Sequence, residues 1–173
     1  PEAGKLRVQN RGQYLEAPYT GQFARLGSWI TAHEARLLEA LGSQLIAFGE
    51  WCAARHSIAY TALPDWWVLF DIYDRVERRF WSTARRDAWA NTVGVRAAPL
   101  IFSGRTGLSD LKTLLVNQPS HYRDGPMEGL MVRAEDERWL LSRAKLVRAE
   151  FTQSINVHWR KKRLEWNRLQ DST

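Results

Sequence analysis

Apolar and polar positions alternate with a period of two in some stretches of this chain and recur at helical spacing in others, and the two kinds of stretch are interspersed. Leu6 and Val8 alternate with Arg7 and Gln9 over residues 5–10, Arg11-Gly12 breaks the run, and Tyr14 and Leu15 resume it, which predicts a short hairpin. Over 23–41, Phe23, Leu26, Ile30, Leu37, Leu38 and Leu41 share one helical stripe that stops at Gly42. Two apolar strands are expected at 45–52 and 66–73, the second announced by the Pro64-Asp65 turn. Short helices are expected at 85–93 and 109–116, the latter with Ser109 as N-cap before Leu111, Leu114 and Leu115. After a loop rich in Pro, Ser and Gly at 118–126, strands at 127–133 and 139–148 flank the polar turn 134–138, and a helix over 151–169 closes the chain. Strands and helices without regular alternation predict an α+β fold, with mainly antiparallel sheets and packed helices.

The length of 173 residues suits one domain, with 1–150 as its body and 151–173 as a basic helical tail of the same domain. A hydrophobic share of 45% and a mean hydropathy of −0.44 describe a soluble globular protein. No run approaches the ~20 apolar residues of a membrane span and no signal peptide opens the chain, so a cytoplasmic protein without membrane contact is expected. The lone Cys52 rules out an intrachain disulfide and a Cys-rich zinc site, and His33, His56, His121 and His158 have no second ligand at metal spacing. The first residue is Pro1 rather than Met, which reads as a processed product or a fragment.

Charge changes the picture because it is uneven. The formal net charge is +6, and residues 143–168 carry all of it: Arg143, Lys145, Arg148, Arg160, Lys161, Lys162, Arg163 and Arg168 stand against Glu150 and Glu165. Nucleic acid is the first partner to consider, and a solvated basic helix is the alternative.

Five short segments carry candidate chemistry: Val8-Gln9-Asn10-Arg11-Gly12, Phe48-Gly49-Glu50-Trp51, Leu69-Phe70-Asp71-Ile72-Tyr73, Glu128-Gly129-Leu130-Met131-Val132-Arg133, and Ser142-Arg143-Ala144-Lys145-Leu146-Val147-Arg148. On a strand, Arg143 and Lys145 point to one side at a separation of roughly 7 Å, so two cations face one polyanion; a solvated basic edge is the alternative. In this order the five segments resemble the motif series of covalent nucleotidyltransferases, the superfamily of DNA ligases, RNA ligases and mRNA capping enzymes, with its ATP-grasp-like ligase domain. The resemblance runs from about Lys5 to the end of the chain and is closest to ATP-dependent RNA ligases.

That resemblance implies an RNA repair enzyme that takes AMP from ATP onto a lysine, passes it to an RNA 5′-phosphate, and seals with a 3′-hydroxyl. Every step is attack at phosphorus, so positioning and charge neutralisation dominate. It implies that Arg143 and Lys145 contact the nucleotide phosphates, although lysine is common at both positions. Glu128 would hold Mg²⁺ or Mn²⁺ through water, and Gly129 beside it would permit close approach of a ligand. Glu50 would contact the ribose, or else pair with an arginine such as Arg55. Adjacent Phe70 and Asp71 point to opposite faces of a regular strand, so the roles split: Phe70 stacks on adenine and Asp71 is a polar partner, with core packing as the alternative for Phe70. Trp66 and Trp67 are read as core, with a platform for RNA bases as the lesser reading. Arg11 would meet the substrate 5′-phosphate, or is an ordinary turn residue, and Arg160, Lys161, Lys162 and Arg163 would meet RNA phosphates, with His158 a weaker candidate.

The superfamily's nucleophile, a lysine followed by one residue, then Asp or His, then Gly, is not found at Lys5, Lys112, Lys145, Lys161 or Lys162. The expectation is that the chain starts downstream of it and lacks one strand, leaving an exposed edge or an apolar gap. The 25 residues after Arg148 are too few for the OB-fold of DNA ligases. Alternatives are a DNA ligase core and a noncatalytic RNA-binding module.

Overall fold

The computed structural model describes residues 4–56, 58–153 and 164–171. Strands β1 (Val8–Gln9) and β2 (Tyr14–Leu15) form the expected hairpin, pairing Val8 with Leu15 and Gln9 with Tyr14. Asn10 Oδ1 accepts from the N–H groups of Gly12 and Gln13, which closes the turn. Helix α1 (Leu26–Leu41) follows a 3-10 turn at Gly21–Phe23, so the helix starts later than its apolar stripe does. It buries Leu26, Trp29, Leu37 and Leu41.

Strand β4 (Trp67–Asp74) is the centre of the main sheet. Strand β3 (Leu45–Trp51) pairs with it antiparallel along its whole length, and the short β5 (Arg79–Phe80) and β6 (Arg96–Ala97) take its other edge. The β6 pairing is parallel, so the sheet is mixed. Neither two-residue strand was expected, because two residues carry no periodicity. Helix α2 (Thr83–Val93) begins two residues before the expected start: Ser82 Oγ accepts from Arg85 N and donates to the Glu137 carbonyl at 2.9 Å.

Helix α3 (Leu108–Asn117) has Gly107, not Ser109, at its N-cap; Asp110 Oδ2 accepts from the Gly107 N–H, and Ser109 lies inside the first turn. The loop at 118–126 is as expected and closes on itself through a Pro119–Pro126 bridge. Strands β7 (Gly129–Glu135) and β8 (Leu140–Val147) form a separate antiparallel hairpin, and the five-residue helix α4 (Ala149–Gln153) follows it.

Of the terminal helix expected over 151–169, residues 151–153 are helical within α4, whereas 164–169 are not. Residues 164–171 are extended, bridging Ala54 to Trp166 and Leu63 to Leu169. Their backbone bonds go to 53–63: Arg55 N to the Glu165 carbonyl, Asn167 N to the Ala53 carbonyl, Leu63 N to the Arg168 carbonyl. A segment whose peptide groups are taken by a distant loop cannot also close i→i−4 bonds. Residues 154–163, including the expected phosphate contacts Arg160, Lys161, Lys162 and Arg163 and also His158, lie outside the described residues.

The core joins α1, α2 and one face of β4 through Leu26, Trp29, Leu37, Leu41, Leu69, Ile72, Ala90 and Val93, closed at one end by Trp81 and Trp139. Trp66 and Trp67 pack against it, in line with the core reading, and the Trp67 ring lies 5.4 Å from Trp29. No helix among the described residues is long and apolar enough to cross a membrane.

Candidate functional site

The side of the β3–β4 sheet away from α1 and α2 is where the candidate residues meet. Cross-strand partners share a face, so Phe48 lies with Asp71, and Glu50 with Val68, while Ala47 and Gly49 lie with the core residues Ile72 and Leu69. The register shifts between Phe48 and Gly49, leaving Phe70 as an extra residue of β4 with no partner. The extra residue lets Leu69 and Ile72, three apart, both reach the core. It also breaks the alternation that set Phe70 and Asp71 on opposite faces. Phe70 is 37% exposed between Leu69 at 0% and Asp71 at 2%, so it is a surface aromatic beside the site rather than core.

Asp71 ties the β7–β8 hairpin to this face. Its carboxylate accepts from Arg133 of β7 at 2.5 Å and from Arg143 of β8, which stand opposite each other in the hairpin register. Arg133 also binds the Trp81 carbonyl at 3.0 Å and pairs with Glu135, whose carboxylate accepts from the N–H and hydroxyl of Thr83, both at 2.9 Å. Burial, the largest single influence on Arg133, pulls its pKa down, but the bonds to Asp71 and Glu135 together raise it above the ordinary value. Burial likewise opposes ionisation of Glu135, and Arg133 and Thr83 outweigh it, so its pKa is lowered. Arg143 lies 4.8 Å from the centre of the Phe80 ring, which packs on Phe48 and Tyr73. The two guanidinium groups and the two carboxylates cancel in charge, so Arg143 is largely neutralised where a free phosphate ligand was expected.

Lys145, one step further along β8, is exposed. It is close enough to Glu128 to lower that carboxyl's pKa, while burial, the largest influence, and the charge of Glu50 push it up, with a net rise. The Tyr60 hydroxyl donates to Glu128 Oε1. Glu50 is exposed and does not pair with Arg55, which binds Glu165 at 2.5 Å instead. Behind the carboxylates, the Cys52 thiol is pushed up to about 12 by burial and then by Glu50 and Glu128, so it stays protonated at neutral pH. Tyr122, whose ring stands edge-on 6.0 Å from Tyr60, is likewise pushed to about 12, mainly by burial.

Glu128 and Glu50 are oxygen donors within electrostatic reach of each other, and burial is the main reason the Glu128 carboxyl is raised. That donor set fits a hard cation such as Mg²⁺, which commonly takes one or two carboxylates and completes its shell with water and substrate phosphate. Among the described residues no group of three or more His, Cys, Asp or Glu side chains forms a closed metal cage.

Of the expected site residues, Asp71 and Arg143 are thus joined by an ion pair, Glu50 and Lys145 both act electrostatically on Glu128, and Phe70 is exposed on the strand that carries Asp71. Gly129 serves a different purpose from the one expected. A Cβ there would stand 2.5 Å from the Leu146 carbonyl, so the close approach is that of β8 and not of a ligand. Arg11 is exposed in the β1–β2 turn. Sequence reasoning missed Arg133 and Tyr60 as site residues. Arg133 ends one of the five motifs and a cation on a strand with apolar neighbours was a usable signal; Tyr60, in an irregular loop, offered none.

Arg133 and Arg143 together pin the β7–β8 hairpin to the sheet through Asp71. The sequence matches the RNA ligase family over residues 2–148, and the chain belongs to that family. No curated protein and no solved structure matches it.

Proposed function

We propose that this chain is the nucleotidyltransferase domain of an ATP-dependent RNA ligase, joining 5′-phosphate and 3′-hydroxyl ends through lysyl-AMP and RNA-adenylate intermediates. The observation that supports this reading is the match to the RNA ligase family over residues 2–148, in a chain where Glu50 and Lys145 act electrostatically on Glu128 and Phe70 is exposed beside Asp71. Phe70 offers its exposed ring to the adenine and Glu50 accepts from the ribose hydroxyls. Lys145, exposed on β8, attracts the phosphates, with Arg143 contributing less because Asp71 already binds it. Asp71 positions the β7–β8 hairpin. Glu128, assisted by Glu50, would hold Mg²⁺ or Mn²⁺, which when bound neutralises phosphate charge. Arg11 and the basic run Arg160 to Arg163 are the reading's contacts to RNA phosphates. The nucleophilic lysine of the first step is not among the five lysines of this chain, so incubation with ATP labelled at the α-phosphate leaves no label on the denatured protein.

The final step needs no lysine: the 3′-hydroxyl oxygen attacks the adenylylated 5′-phosphorus, a P–O bond forms, the bond to the AMP phosphate breaks, and the hydroxyl proton leaves to solvent. The test is therefore a nicked RNA duplex carrying a pre-adenylylated 5′ end, given to the chain with Mg²⁺ and no ATP. Sealing with release of AMP, lost in Glu128→Ala and Lys145→Ala, is expected. Binding without sealing would mark a noncatalytic RNA-binding module, and equal sealing of a DNA nick would favour a DNA ligase core.

A further inference from the structure

We infer that Tyr60 is a positioning residue for Glu128, held in place by the C-terminal segment through Asn167. The inference rests on the reading of Glu128 as the carboxylate that holds a divalent cation. Glu128 precedes β7 and its own carbonyl is fixed by Arg148 N at 3.0 Å, but its side chain reaches out of the hairpin and is met by the Tyr60 hydroxyl. That hydroxyl occupies Oε1 and sets the plane of the carboxylate, leaving the other oxygen to a cation or its water.

Tyr60 lies in the irregular loop between β3 and β4, where neither helix nor sheet defines its backbone. Its backbone is defined instead by the far end of the chain. Asn167 Oδ1 accepts from Tyr60 N at 2.9 Å, and Arg168 N donates to the Tyr60 carbonyl at 2.9 Å. Asn167 is itself 4% exposed, and its Nδ2 donates to the Cys52 carbonyl at 2.8 Å and the Ala54 carbonyl at 3.3 Å. Both ends of its amide are therefore used, and used on the loop that carries Tyr60. Beside it, Trp166 and Trp66 sandwich the Arg25 guanidinium, whose Cζ lies 4.6 Å from each ring centre, which clamps the segment to the start of α1. A residue bonded this way over a sequence separation of more than a hundred residues links the chain's end to the cation carboxylate.

The test measures Mn²⁺ binding by loss of the free-ion electron paramagnetic resonance signal, using the intact chain, beside thermal melting. Tyr60→Phe removes one hydroxyl, and about tenfold weaker Mn²⁺ binding is expected at little change in melting temperature, the usual size of an effect on a residue that orients a metal ligand. Tyr122→Phe is the control: its hydroxyl is buried without a hydrogen-bond partner among the described residues, so removing it leaves Mn²⁺ binding unchanged. Asn167→Ala should weaken Mn²⁺ binding in the wild-type background and add little on top of Tyr60→Phe. Wild-type affinity in Tyr60→Phe, where Glu128→Ala has lost binding, overturns the inference alone. Wild-type affinity in Glu128→Ala as well overturns the reading of Glu128 on which it rests.

Discussion

Replacing Asp71 by Ala tests the claim that the β7–β8 hairpin is pinned to the sheet by charge. The side chain is 2% exposed and accepts from two guanidinium groups, Arg133 at 11% and Arg143 at 42% exposure. Removing one partner of a buried ion pair costs roughly 3–5 kcal/mol because the other charge is left uncompensated. Two features reduce that here: Arg133 keeps Glu135 and the Trp81 carbonyl, and Arg143 can turn into water. About 2–3 kcal/mol remains as the expected loss. Arg143→Ala removes only the exposed half of the network and leaves Asp71 bonded to Arg133, so it should cost about 0.5–1 kcal/mol, the range of a solvent-screened pair. Urea unfolding followed by the emission of the nine tryptophans measures both. At a slope of about 1–3 kcal/mol/M, Asp71→Ala should lower the midpoint by about 1 M. A loss within about 0.5 kcal/mol, as for an ordinary surface change, would refute the buried network. So would an Arg143→Ala variant as unstable as Asp71→Ala.

Glu128→Gln should move stability and activity in opposite directions. A carboxyl whose pKa is raised on folding disfavours the folded state while it is ionised, so the variant should melt higher than wild type at neutral pH, with the gain vanishing as pH falls through the carboxylate range, while sealing is lost. For Glu135 the sign reverses: its lowered pKa contributes stability above the unfolded value that disappears as pH falls through the folded one, so wild type should lose more stability on acidification than Glu135→Gln. Gly129→Ala should cost about 1–3 kcal/mol in urea unfolding, because its Cβ meets the rigid Leu146 carbonyl and the two strands must part. Replacing Arg160, Lys161, Lys162 and Arg163 together by Gln should flatten the salt dependence of RNA binding, by roughly 0.7 in log K against log salt for each single-strand phosphate that the variant no longer neutralises. An unchanged slope would remove that run from the RNA path.

Local pattern determined much of this molecule. The apolar runs that became β3 and β4, the stripe that became α1, the polar turn between β7 and β8, and the five motifs are properties of residues close in sequence, and the family follows from them. What the tertiary structure alone decided has a common physical cause, the competition for backbone and charge partners that lie far apart in the chain. The register shift at Phe70 exists because Leu69 and Ile72 must both reach the helices, and no count of alternating residues contains that demand. Arg143 read as a free cation because its counter-charge, Asp71, is 72 residues away. The final segment carried apolar residues compatible with a helix, yet over 164–171 it is extended, since the open peptide groups at 53–63 and the buried Asn167 amide satisfy each other there. Spacing along a chain reports which face a residue would take if its neighbours were regular, and the residues that fix the β7–β8 hairpin and the 164–171 segment are the ones whose partners are not neighbours.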